Sequence, residues 1–112
     1  MIESPLIMSH HAEKLSRLSA HLEELFSRVL SRGGRESLSP ELADEIAATA
    51  GEIMVELADQ RADELARDVI EGARRLREVV RTIRPEPARV EGPWRALATG
   101  LELVIREDKR AA

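Results

Sequence analysis

Residues 39–84 read SPELADEIAATAGEIMVELADQRADELARDVIEGARRLREVVRTIR, and Pro85-Glu86-Pro87 closes them. Ser39-Pro40-Glu41 is a helix start: a hydroxyl to cap, a proline whose missing N–H costs nothing in the first turn, and a carboxylate near the positive end of the helix dipole. Ile46, Ala50, Ile53 and Leu57 then mark one apolar seam. Ala62, Leu65, Val69, Gly72, Leu76, Val79 and Ile83 mark a second, in strict three- and four-residue steps. The two registers do not join by heptads; the phase shifts across Ala58-Asp59-Gln60-Arg61-Ala62. No proline or turn cluster interrupts the segment, so the expectation is one long central helix, with a kink or break at 58–62 as the rival.

A helix of that length would run about 69 Å. The chain has 112 residues, enough for one small domain. Two shorter helices are expected around the long one. The first spans 9–32, on Leu15, Leu18, Leu22, Leu25 and Val29, with Phe26 and Leu30 widening the stripe and Gly33-Gly34 ending it. Pro85, Pro87, Gly92 and Pro93 bracket an irregular connection. The last helix is expected over 93–110, on Trp94, Leu97, Ala98, Leu101, Val104 and Ile105. Residues 1–8 read as a flexible arm. The fold class is therefore all-α: three amphipathic helices in an elongated bundle.

Charge along the long segment is polarised. Residues 41–64 hold eight acids against Arg61 alone, and residues 65–84 hold six arginines against Asp68, Glu71 and Glu78. Two copies laid antiparallel would set each acidic half against the other's basic half. Since two short helices cannot cover so long a seam, a two-fold homodimer is expected, with Ile46, Ile53, Leu57, Leu65, Val69, Gly72, Leu76, Val79 and Ile83 at its interface. A monomeric bundle bent near 58–62 is the alternative.

Composition narrows the function. Phe26 and Trp94 are the only aromatic residues, so the core must be built from aliphatic side chains and alanine. There is no cysteine, which excludes disulfides and thiolate chemistry. The formal charge of −4 weighs against nucleic acid as the main partner. With no basic leader at the N-terminus and no apolar run of membrane length, a cytoplasmic protein is expected. Arginine greatly outnumbers lysine, a bias of GC-rich bacterial genomes.

Candidate sites are few. Arg67, Arg74, Arg77, Arg81 and Arg84 share a flank of the long helix, and Trp94 is a candidate anchor of the kind enriched at interfaces. His10-x-x-Glu13 and His21-x-x-Glu24 are the only histidine spacings usable for metal, and they fall on an exposed face, where the histidines read as solvated. No Ser-His-acid set, nucleophile elbow or phosphate loop occurs. No catalytic residue, cofactor or metal site is assigned.

The reading is a non-enzymatic protein-interaction module: an adaptor, assembly factor, inhibitor or regulator of a larger bacterial or phage protein, itself homodimeric. One alternative is a nucleic-acid-associated regulator using the Arg67–Arg84 flank. Another is a helical-bundle metalloprotein.

Overall fold

The computed structural model describes residues 10–31, 39–81 and 87–111. Among these, four α-helices and no strands are found: α1 (His10–Ser31), α2 (Pro40–Gln60), α3 (Glu64–Val80) and α4 (Pro87–Ala111). The arm at 1–8, the Gly33-Gly34 stop, Ile83 and Arg84 lie outside the described residues. None of the helices is long and apolar enough to cross a membrane.

The expected three helices are four, because the long central segment breaks. α2 begins as its sequence demands: Ser39 is in extended conformation, and its Oγ accepts a hydrogen bond from the Leu42 N–H at 3.2 Å, with Pro40 in the first turn. It ends at Gln60. Arg61 takes an extended conformation (φ −142°, ψ 147°), although its N–H still donates to the Leu57 carbonyl at 2.9 Å. Asp63, also extended, starts α3, with the Arg67 N–H donating to its carbonyl. The break falls where the two apolar registers fail to join. A continuous helix would carry the second seam off to another side, whereas a hairpin turns both inward.

The chain is therefore folded back on itself, and the seam expected between two copies lies inside one. Ile46, Ile53, Leu57, Val69 and Leu76 are buried in a single core with Leu15, Leu22, Leu25, Phe26, Val29, Val90, Leu97, Leu101 and Val104. Burial of the seam thus calls for no second copy. The α3 stripe keeps Val69 and Leu76 of the heptads read in the sequence but moves the alternate positions by one residue: Ala66, Ala73 and Val80 are buried with them, while Leu65 and Val79 pack at the edge. Leu30, expected to widen the α1 stripe, is 51% exposed.

Each helix packs against its chain neighbours, and α1 packs against α4, closing a four-membered ring. Neighbours run antiparallel. His11 at the start of α1 meets Glu56 near the end of α2 and Asp108 near the end of α4, and Val69 of α3 meets Gly100 of α4. The acidic and basic halves of the central segment thereby lie side by side and antiparallel within one chain, with no ion pair joining α2 to α3 among the described residues.

The last helix starts six residues earlier than expected and carries Pro93 inside it. Proline costs a backbone hydrogen bond there. What holds the turn is the stripe Val90, Trp94, Leu97, Leu101 and Val104, a run of four- and three-residue steps that passes straight through the proline; Val90 is fully buried one turn ahead of Trp94.

Glycine sets two close approaches of α3 and α4. A Cβ on Gly72 would stand 3.9 Å from the Leu97 Cα, an ordinary contact, but one on Gly100 would stand 2.7 Å from Val69 Cγ2. Val69 is buried and stiff at χ1, so it has little room to yield. Gly100→Ala, which on helix propensity alone would stabilise by about 1 kcal/mol, is expected instead to destabilise by about 1 kcal/mol through overpacking. Urea denaturation of the two proteins checks this; a stabilised variant would show that the helices part freely.

Candidate functional site

Three features of the folded chain are neither plain core nor plain solvated surface: an ionic cluster at one end of the bundle, the outward side of α2, and the groove beside Trp94.

The ionic cluster gathers at the end where α1 begins, α2 and α4 finish, and the α2–α3 turn sits. His11 Nδ1 donates to Glu56 Oε2 at 2.9 Å, and its Nε2 lies 3.2 Å from Asp108 Oδ2, out of line for a full hydrogen bond. Lys14 adds a contact of 3.3 Å to the other Glu56 oxygen. Across from it, Arg61 spans three carboxylates: Nη2 lies 2.6 Å from Asp63 and 2.7 Å from Glu107, and Nη1 3.3 Å from Asp108. The His11, Glu56, Asp108 and Arg61 side chains are each less than a fifth exposed, so these contacts are only partly screened by water.

The cluster's charge states follow from its geometry. The hydrogen bond from His11 is the main influence holding the Glu56 carboxyl below the usual carboxylate range; burial opposes it, and Lys14 reinforces it. The Asp63 carboxyl is likewise held low, chiefly by its bond to Arg61. Arg61 is held firmly in its charged form, first by Asp63 and then, against the cost of burial, by Glu107. Asp63 starts α3, and its carboxylate is engaged by Arg61 Nε at 2.9 Å and by Nη2.

Chemically the cluster is a latch. It ties together four chain segments at the end where the central segment turns back. Among the described residues no group of three or more His, Asp or Glu side chains is arranged to hold a metal ion. Sequence reasoning placed the histidines on a solvated face and missed His11. Its signal was present: His11, Leu15, Leu18 and Leu22 follow the same four-, three- and four-residue steps, which put His11 on the inward side of α1.

The arginine flank is split by the fold. Arg67, Arg74 and Arg81 are exposed along the outer side of α3, with Glu71 and Glu78 exposed between them. Arg74 pairs with Glu71 at 3.4 Å within the helix. Arg77 is half-buried and turns toward α2. Together with Arg81 it borders a shallow groove, which Ala47, Ala48, Gly51, Glu52 and Val55 of α2 and Lys14 of α1 also line. Among the described residues, Arg67, Arg75, Arg77 and Arg81 have no carboxylate within ion-pair distance.

Trp94 is not brought together with the arginines. It lies on the α1-facing side of α4, stacked on Phe26 with ring centroids 4.0 Å apart and planes 2° from parallel, so the chain's only two aromatic rings pack on each other. Arg95 sits 5.9 Å from its ring, and its indole Nε1 is buried without a hydrogen-bond partner. Half-buried, it forms part of a groove with Ser19 and Glu23 of α1 and Ala98, Glu102, Ile105 and Arg106 of α4. Its first role is structural, at the edge of the core.

No protein-family model matches the chain, and neither the curated proteins nor the solved structures give a match.

The latch has a definite pH signature. Because the Glu56 carboxyl is held low, its contribution is present above the usual carboxylate range and is lost as pH falls through the lowered value. Glu56→Gln is therefore expected to cost about 1 kcal/mol at neutral pH. The difference should shrink toward zero in strong acid, once pH has fallen through the lowered value and the unmodified carboxyl is protonated too. Chemical denaturation of both proteins at the two pH values checks it; an equal cost at both would contradict a charged latch.

Proposed function

We propose that this chain is a non-catalytic protein-interaction module that works as an adaptor, assembly factor or inhibitor of a larger protein. The observation that carries the reading is the set of arginines on α3 that the fold leaves without partners. Arg67, Arg75, Arg77 and Arg81 stand unpaired among the described residues, although α2 alongside holds six carboxylates and no basic side chain. Fixed cations on a rigid helix, desolvated only when something docks, supply specificity and association rate toward an acidic protein surface.

The same surface serves a nucleic acid poorly. Glu71 and Glu78 sit exposed between Arg67, Arg74 and Arg81, so a phosphate backbone laid along that ridge would meet carboxylates at every turn. Trp94, the one residue suited to stacking on a base, is turned toward α1 and engaged with Phe26.

The test is affinity capture from the native host, with the tagged full chain compared with the double variant Arg67→Glu/Arg75→Glu. Both positions are exposed on α3, so the variant keeps its fold. One protein retained in near-stoichiometric amount by the unmodified chain, and at least about tenfold less by the charge-reversed one, is the expected result. Retention of nucleic acid in place of protein, or capture indifferent to the charge reversal, would overturn the proposal.

A further inference from the structure

At the centre of the ionic latch two buried atoms face each other without a hydrogen bond. They are His11 Nε2 and Asp108 Oδ2, 3.2 Å apart, and neither has another hydrogen-bond partner among the described residues. The other ring nitrogen already donates to Glu56 Oε2 at 2.9 Å. A neutral imidazole has one N–H to give, so with Nδ1 engaged its Nε2 turns a lone pair on a carboxylate oxygen. Only the doubly protonated ring presents a donor to both carboxylates.

The charges around the ring favour that second proton. Lys14 Nζ takes the far oxygen of Glu56 at 3.3 Å, and Arg61 Nη1 takes the far oxygen of Asp108 at 3.3 Å. Cation and carboxylate therefore alternate along the row Lys14, Glu56, His11, Asp108, Arg61, and a neutral ring breaks the alternation. Asp63 and Glu107, both on Arg61, bring the carboxylates near the ring to four, against the two fixed cations Lys14 and Arg61. α3 does not pack on α1. The His11 side chain is only 12% exposed, so water screens these contacts in part. Ahead of Leu15, the one apolar side chain that the described part of α1 buries is the methyl of Ala12. The start of the helix is thus held chiefly by His11 and by Lys14, itself half in water.

We propose that His11 is a proton-operated clasp on α1. With both ring nitrogens protonated it ties the start of α1 to Glu56 of α2 and to Asp108 of α4. With the second proton lost it lets go of Asp108, and the first turns of α1 open more readily from the bundle. The contact with Asp108 exists only in the folded chain and needs the second proton, so its stabilisation is present on the acid side and is lost as pH rises. Glu56 sets the opposite limit: its carboxyl, held low chiefly by the bond from His11, is neutralised only in stronger acid. Histidine is the side chain whose charge ordinarily changes between about pH 5 and 8, so the clasp responds to modest changes in acidity. The proposal is independent of the interaction-module reading.

Two measurements on the full chain test it. In urea denaturation at about pH 5 and about pH 8, the unmodified chain is compared with His11→Gln, which keeps an N–H donor but cannot take a charge. The folding equilibrium of the unmodified chain should exceed that of the variant by about tenfold at the lower pH, and the excess should vanish at the higher one. Nitrogen-15 NMR of the unmodified chain should show both His11 ring nitrogens protonated at the lower pH and Nε2 bare at the higher. The Leu15 and Leu18 amides, corrected for the intrinsic pH dependence of exchange, should lose protection over the same interval. These spectra decide the matter alone if His11→Gln does not fold. An excess equal at both pH values, a bare Nε2 at both, or α1 protection indifferent to the state of the ring would overturn the proposal.

Discussion

Everything in this bundle depends on the turn at Arg61–Asp63. On either side of it, α2 and α3 carry apolar stripes that differ in phase, and no straight helix could point both at one core. Three residues out of helical conformation solve the mismatch. They reverse the chain, lay the acidic segment beside the basic one, and let α1 and α4 close the remaining two sides. Arg61 makes the turn specific. Its guanidinium holds Asp63, next to it in the turn, and reaches Glu107 and Asp108 at the end of α4, so the turn is fixed to the far end of the chain. His11 completes the fixture by bridging Glu56 and Asp108. Partly buried charges of this kind add little net stability, but leaving one of them unpartnered is costly, and that cost disfavours other helix arrangements.

Much of this was readable in the residues. The helical class, the span of α1, the Ser39-Pro40-Glu41 start of α2 and most of the core follow from aliphatic periodicity and capping chemistry, which are local signals. The phase shift at 58–62 was visible too, but periodicity shows only that two registers fail to meet. Whether the chain bends or runs straight is decided by tertiary contacts, here those of Arg61 and of the shared core. Pro93 misled for the opposite reason: proline is a strong local signal for a helix start, and it was overridden by Val90, Trp94 and Leu97 packing on both sides of it. In α3 Val69 and Leu76 were placed correctly, but the alternate heptad positions were one residue off because alanine is a weak marker; Ala66 and Ala73 lie in the core while the larger Leu65 and Val79 sit at its edge.

The functional features divide in the same way. Arg67, Arg74, Arg77 and Arg81 were recognisable as a flank, but only the fold shows that Arg77 turns toward α2, that Arg67 and Arg74 stay on the open ridge, and that Arg81 ends that ridge at the border of the α2 groove. Trp94 looked like an anchor in isolation; its partner Phe26 lies 68 positions away in the chain, and no spacing rule connects them. His11 belonged to the inward register of α1 from the start, yet a histidine among leucines carries meaning only once the carboxylates from α2 and α4 are seen on either side of it. What emerges is a small scaffold with its core complete, its charges locked at one end, and unpaired cations beside an open helix face.

The central claim, that the segment 39–81 doubles back at Arg61–Asp63, is open to a direct distance measurement. The chain has no cysteine, so spin labels can be placed at Asp44→Cys and Glu78→Cys, both exposed, without removing native thiols. Pulsed electron paramagnetic resonance on doubly labelled chain, diluted with unlabelled chain to suppress distances between copies, reads the separation. A hairpin with helices packed about 10 Å apart predicts a label separation of about 20–30 Å. A separation of about 50 Å, the length of an unbroken helix between those positions, would contradict it.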